Sequence, residues 1–390
     1  MAVRQRGFGL LLALQLFAAA VHAGPRARDL GIPFDGEPGP LNAITDVAGV
    51  QVGHTTLISG SGRLRVGDGP VRTGVTAIVP RGADSLSNPV FAGWFSQNGN
   101  GEMTGTAWID ESGFLEGPVL ITNTHSVGVV RDAVIRWRVA HGAADITGAW
   151  WSLPVVAETW DGWLNDINGF HVQPAHVLHA LDGAAGGPVP EGSVGGGTGM
   201  ICNGYKGGIG TASRHLAATE GGYTLGVLVQ CNYGTRQNLR IAGIPVGREI
   251  PAPEPYAFVP SDIAERGSII VVVATDAPLL GNQLKRIARR VTLGLGRNGS
   301  ISGNGSGDLF LAFSTANSGA AAAVQPVDVK MLPNDSLDPL FLATVEATEE
   351  AIVNAMVAAT DMTGADDHRV IAIPHDQLRA VLKKYGRLNP

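Results

Sequence analysis

Charge and cysteine are both scarce in this chain of 390 residues. Charged residues make up 16% of it, against roughly 25% in an ordinary soluble domain. Acids outnumber bases, for a formal net charge of −6, so the chain lacks the basic footprint that a nucleic acid or an anionic membrane surface demands. No internal repeat, coiled-coil heptad or long linker divides it, and a chain of this length can fold as one large unit. Its only cysteines, Cys202 and Cys231, allow one disulfide in an oxidising compartment; two small buried thiols are the alternative. No HExxH motif occurs, no Gly-Lys-Ser/Thr follows a glycine loop, and Pro174 interrupts the His171, His176, His179 cluster, so neither a metal nor a phosphate cofactor is expected.

The longest apolar run near the start, Phe8 to Val21, is shorter than the roughly 20 residues of a membrane-spanning helix. Arg4 and Arg6 precede it and Val21-His22-Ala23 follows, the pattern of a removable secretory signal over residues 1–23. The mature protein is therefore expected in the periplasm. Losing that segment removes two bases and no acid, which makes the remainder more acidic still.

What the chain has in excess is glycine, 54 residues, nearly twice the usual ~7%. Such a composition suits tight turns between large packed sheets. Short apolar runs bounded by turn residues, such as Pro118 to Thr122 and Leu225 to Gln230, read as strands. Val127 to Val139 and Ala175 to Leu181 read as helices. After a proline-rich loop, Pro251 to Gly267, come a strand from Ser268 to Thr275 and an amphipathic helix spaced Leu280, Leu284, Ile287, Val291. A strand from Asp308 to Ser314 follows. Asp338-Pro339 reads as an N-cap and first helical residue, with Leu342, Val345, Ile352 and Met356 on one face. Val370 to Ile373 and Gln377 to Lys384 close the chain as strand and helix. Strands and helices on both sides of the loop imply a layered α/β structure with one shared core.

The step Gly267-Ser268 stands where the loop meets a buried strand. Proline keeps the loop out of helices and inner strands, and Gly267 tolerates strained backbone geometry. A serine at a new N-terminus would carry its own α-amine, with a pKa of about 7.7–8.0, as a base for its hydroxyl. Asn304-Gly305-Ser306-Gly307-Asp308 puts a hydroxyl and a carboxylate on one side of an extended chain; a glycine turn with an Asx cap is the alternative. Glu158, leaving the apolar run Val155 to Ala157, is either a solvated turn residue or the partner of a substrate ammonium. Gly294-x-Gly296-x-x-Gly299 lacks the strand before and helix after that a dinucleotide site needs. Gly195 to Gly199 reads as a close-packed turn.

Over nearly its whole length the chain resembles the self-processing serine aminopeptidases, the family of the L-aminopeptidase D-Ala-esterase/amidases and the β-peptidyl aminopeptidases. The blocks that carry the resemblance are Arg28 to Gly31, Leu41 to Val47, Gly195 to Met200, Lys206 to Gly210 and Ala274 to Leu279. It implies a four-layer αββα sandwich, N-terminal-nucleophile-hydrolase-like, cut between Gly267 and Ser268 into an α chain (24–267) and a β chain (268–390) sharing one domain. It further implies Ser268 as nucleophile, Ser306 and Asp308 as an assisting pair, Asn232 as oxyanion donor and Glu158 as receiver of the substrate amine, with Trp160 lining the substrate pocket. The implied substrates are peptides, amides or esters with a small N-terminal residue, and the implied assembly is a homo-oligomer of αβ units. Three positions depart from the family pattern: Asp308 replaces a glutamate, Trp160 a Tyr or Leu, and Cys231 a smaller apolar residue. A self-processing acyltransferase, and a secreted binding protein without chemistry, are the competing expectations.

Overall fold

The computed structural model describes residues 24–142, 151–253, 255, 266–321 and 324–389. The expected leader, residues 1–23, and most of the proline-rich loop lie outside the described residues.

Two sheets form the centre. The first, of four strands, contains β1 (Gln51–Ser59), β2 (Val71–Val79), β5 (Val119–Asn123) and β6 (Val155–Thr159) in that order. The second has six, in the order β4 (Phe114–Leu115), β3 (Val90–Ser96), β12 (Gly305–Ser314), β11 (Arg266–Thr275), β10 (Thr224–Asn232) and β9 (Gly208–His215). Two small hairpins, β7 (Ile201–Cys202) with β8 (Tyr205–Lys206) and β13 (Met362–Thr363) with β14 (Arg369–Val370), stand apart.

Strand alternation builds the layers. On β11, Ile270, Val272 and Ala274 join Ile78, Ile121 and Val155 in a core between the two sheets, whereas Ile269, Val271 and Val273 face a second core shared with Leu284, Ile287, Ala351 and Ile352. Because both faces are covered, the strand reads as an unbroken apolar run rather than an alternating one. The outer layers are α2 (Val127–Ala140) with α3 (Pro174–Asp182) on the first sheet, through Val130, Val134 and Val177, and α5 (Gly281–Arg297) with α6 (Asp338–Val357) on the second. The result is the expected αββα sandwich. The shorter helices α1 (Thr106–Ser112), α4 (Val246–Glu249) and α7 (His375–Lys384) complete the chain. Among the described residues no helix is long and apolar enough to cross a membrane.

Four local expectations change. The strand through Ser268 begins two residues earlier, at Arg266. Asp338 is the first residue of α6 rather than its cap: Leu337 holds that place in a helical conformation (φ −89°, ψ −17°), so no side-chain oxygen is set to accept there. The same helix is buried nearly all round, because it packs on β9, β10 and α5 at once, and Leu342 is 53% exposed on its one open side. Of the segment 370–373 only Val370 pairs as a strand, in β14 with Arg369. Cys202 and Cys231 form a disulfide with Cα atoms 5.5 Å apart, within the range that bridging requires.

Candidate active site

Gly267 and Ser268 lie in β11 between β10 and β12, with Ser268 opposite Asn232 on one side and beside Gly307 on the other. Gly267 has φ +125°, a conformation only glycine adopts without strain, and a Cβ there would overlap the carbonyl oxygen of Asn232. Ser268 is 5% exposed, and its Oγ accepts a hydrogen bond from the Gly307 N–H at 3.2 Å. In an antiparallel pair, residues directly opposite each other share a face, so the Ser268 and Asn232 side chains project together into the space between the sheets.

Asn232 is fixed at both ends of its amide. Oδ1 accepts from the Ile201 N–H at 2.7 Å, and Nδ2 donates to the Trp160 carbonyl at 2.9 Å. Nδ2 carries a second hydrogen, which gives this face of β10 a donor next to Ser268. The Trp160 ring rests on Gly162, where a Cβ would stand 2.7 Å from it, and remains 42% exposed.

Glu158 is 3% exposed, which rules out the solvated-turn reading. It sits at the end of β6 with Oε1 accepting from the Glu102 N–H at 2.9 Å and Oε2 from the Thr124 hydroxyl. Burial raises its pKa above the ordinary carboxylate value, and those two hydrogen bonds only partly oppose this. A Cβ on Gly101 would stand 3.3 Å from Glu158 Oε1 and 3.2 Å from the Gly307 Cα. The buried acid and the residue that touches Ser268 therefore close on the same glycine.

Ser306 and Asp308 belong to β12 itself, not to a glycine turn, and the Ser306 hydroxyl donates to Asp308 Oδ1 at 2.6 Å. The expectation that they share one side of an extended chain holds. They alternate with Gly307, however, and have the parity of Phe310, which faces the helical layer, while Ser268 has the parity of Ile270 between the sheets. In the uncut chain the pair thus stands one strand from Ser268 and on the other face. The loop after β3 closes over it: Asn98 Nδ2 donates to Asp308 Oδ2 at 3.4 Å and to the Gly303 carbonyl at 3.1 Å.

The histidines do not converge. His171 pairs with Asp166 at 2.8 Å, His176 Nδ1 accepts from the Gln173 N–H at 3.0 Å, and His179 Nδ1 meets the Thr55 hydroxyl at 3.1 Å. Among the described residues no group of three or more His, Cys, Asp or Glu side chains is arranged to hold a metal ion. Gly195–Gly197 form a buried turn, and a Cβ on Gly196 would overlap Gln230 Oε1, so the run serves close backbone packing. Sequence reasoning missed Thr124, Asn98 and Gly307. The Asn/Gly-rich stretch 98–101 is a signal for the covering loop; nothing local marks Thr124. It also missed Asp161, a buried carboxyl whose Oδ1 accepts from Asn165 Nδ2 at 3.0 Å and whose pKa burial pushes up to about 7.

The chain as a whole is similar to known proteins. Peptidase family S58 matches residues 42–370. The β-peptidyl aminopeptidase BapA of Sphingosinicella microcystinivorans is 55% identical, covering 98% of this chain and 98% of that one. The crystal structure of L-aminopeptidase D-Ala-esterase/amidase from Ochrobactrum anthropi, described as a variant of the Ntn hydrolase fold, is 52% identical with a TM-score of 0.87, covering 93% of this chain and 99% of that one. A Burkholderia sp. β-aminopeptidase structure is 50% identical with a TM-score of 0.85, at 93% and 99% coverage. With a buried serine, an amide donor beside it and a buried acid across from it, on a fold shared at this identity over nearly the full length, the chain belongs to peptidase family S58 and is an aminopeptidase.

Proposed function

We propose that the chain cuts itself between Gly267 and Ser268, and that Ser268 then releases small N-terminal residues, β-amino acids or alanine-like, from peptides, amides or esters. The observation that carries this reading is the junction itself: a glycine at positive φ joined to a buried serine, opposite Asn232 and near Glu158. The names of the relatives, which span β-peptides, L-amino acids and D-alanine esters, support the substrate class.

In the cut, Ser268 Oγ bonds to the Gly267 carbonyl carbon, and the peptide C–N bond breaks as the Ser268 nitrogen takes a proton. Water then hydrolyses the resulting ester, leaving a Gly267 carboxylate and a free Ser268 amine. The segments 24–267 and 268–390 stay together, because β11 and β12 of the second are flanked in one sheet by β10 and β3 of the first. In turnover, Glu158 holds the substrate ammonium and Ser268 Oγ attacks the carbonyl carbon. Asn232 Nδ2 donates to the oxyanion, and the leaving amine or alcohol departs with a proton. Water hydrolyses the acyl-enzyme. The proton passes through the freed Ser268 amine, or through Ser306 with Asp308 once the new terminus can shift. No metal or cofactor enters these steps.

The apolar leader over residues 1–23 and a disulfide that needs an oxidising compartment support a periplasmic location, and the family resemblance supports a homo-oligomer of αβ units. Denaturing mass analysis tests the central claim: wild type gives fragments beginning near Gly24 and at Ser268, and Ser268→Ala gives one folded, inactive chain. An intact wild-type chain with full activity would overturn it.

A further inference from the structure

Both arms of the disulfide converge on one side chain. Cys231 immediately precedes Asn232 in β10, and Cys202 follows Ile201, whose N–H anchors Asn232 Oδ1. The bridge closes a small ring that runs from the Asn232 side chain through Ile201, Cys202 and Cys231 back to the Asn232 backbone. The hairpin carrying Ile201 has strands of two residues each joined by Asn203-Gly204 at φ +50° and +72°, and so short a ladder contributes little pairing of its own. The disulfide and the bond from the Asn203 N–H to the Tyr233 carbonyl at 2.7 Å tie it to the end of β10; beyond its turn, Arg236 donates to the Gly204 carbonyl and lies over the Tyr205 ring, and the Lys206 N–H bonds the Ile371 carbonyl.

We propose that the Cys202–Cys231 bridge is a positioning device for catalysis: by pinning β7 to β10 it keeps the Ile201 N–H on Asn232 Oδ1, so that the amide turns Nδ2 towards Ser268. An amide rotated end for end would present a carbonyl oxygen there and repel an oxyanion. The inference rests on the reading of Asn232 as the oxyanion donor. It assigns the departure at Cys231 a purpose in the reaction rather than in stability alone.

The test is a double-mutant cycle on matured enzyme, assayed well below the melting point of every variant. The paired substitutions Cys202→Ala and Cys231→Ala should lower kcat on the order of 10- to 100-fold, as small misplacements of catalytic groups do. KM should not change, because Glu158 is held by the other sheet. The same pair added to Asn232→Ala should lower kcat no further. Additive losses, or a loss that appears in KM, would show a merely structural bridge and overturn the proposal. An undiminished kcat in the cysteine variant overturns it while leaving the reading of Asn232 intact. An undiminished Asn232→Ala enzyme removes that reading and the inference with it. Where the paired variant does not fold or mature, dithiothreitol on the matured wild type replaces it, its two electrons converting the bridge to two thiols as the reagent closes to its cyclic disulfide. Activity falling in step with titrated thiols at constant circular dichroism supports the proposal; full activity with both thiols free overturns it.

Discussion

The backbone of Gly267 runs so close to the Asn232 carbonyl that no Cβ fits between them. The residue ahead of the proposed cut is therefore fixed by packing as well as by its φ of +125°. Gly267→Ala should leave the chain uncut and lower stability by about 1–3 kcal/mol or more, the cost of a strained backbone with added overlap. Mass analysis and thermal unfolding read the two effects, and normal maturation of this variant would show that the junction relaxes before cleavage.

In the proposed reaction Asn232 carries two tasks, anchor of the Ile201 N–H and oxyanion donor, that substitution can separate. Asn232→Ala loses the donor and also strands the buried Ile201 N–H, so kcat should fall on the order of 10²–10³-fold and stability by about 1–3 kcal/mol. Asn232→Asp keeps the acceptor for Ile201 and loses only the donor, so kcat should fall as far with stability largely kept. Steady-state kinetics beside denaturant unfolding distinguish these outcomes.

In the proposed reaction Glu158 must be ionised to hold the substrate ammonium, and burial raises its pKa. KM should therefore rise as pH falls through a value above the ordinary carboxylate range, and rise again at high pH as the substrate amine loses its proton. Glu158→Gln should raise KM about 10- to 100-fold, the worth of a hydrogen bond to a charged group, and abolish the acid limb. A pH profile of KM for both enzymes decides it.

Asp161 gives a stability signature of the same origin. Its pKa is about 7 in the folded protein against an ordinary value of 3.8, so the folded state holds the proton more tightly than the unfolded one. Stability from this group is complete below the ordinary value and is lost as pH rises through about 7. The stability difference between wild type and Asp161→Asn should drift against the wild type across that window. A difference constant from pH 4 to 8 would place the carboxyl in a more hydrated setting.

Much of the scaffold was legible in the residues because its signals are local. The buried strand after Gly267 shows as an unbroken run of β-branched residues, and α5 shows as apolar positions at helical spacing. The cap at Asp338 and the single apolar face of α6 were misread, since a helix wedged between a sheet and another helix answers to neighbours far away in the chain. Period-2 alternation put Ser306 beside Asp308 correctly. It says nothing of which face a strand from another part of the chain will share with them.

The sequence by itself determined the position of the nucleophile candidate, the layered α/β class and the resemblance that named the other site residues, because turn chemistry, strand composition and motif order are written along the chain. Only the tertiary structure decided that Glu158 is buried, that Cys202 and Cys231 are bonded, that Ile201 anchors Asn232, and that Ser268 and Ser306 stand on opposite faces of one sheet. Those facts depend on the register between strands and the closure of loops over them, which are set by packing between segments distant in sequence.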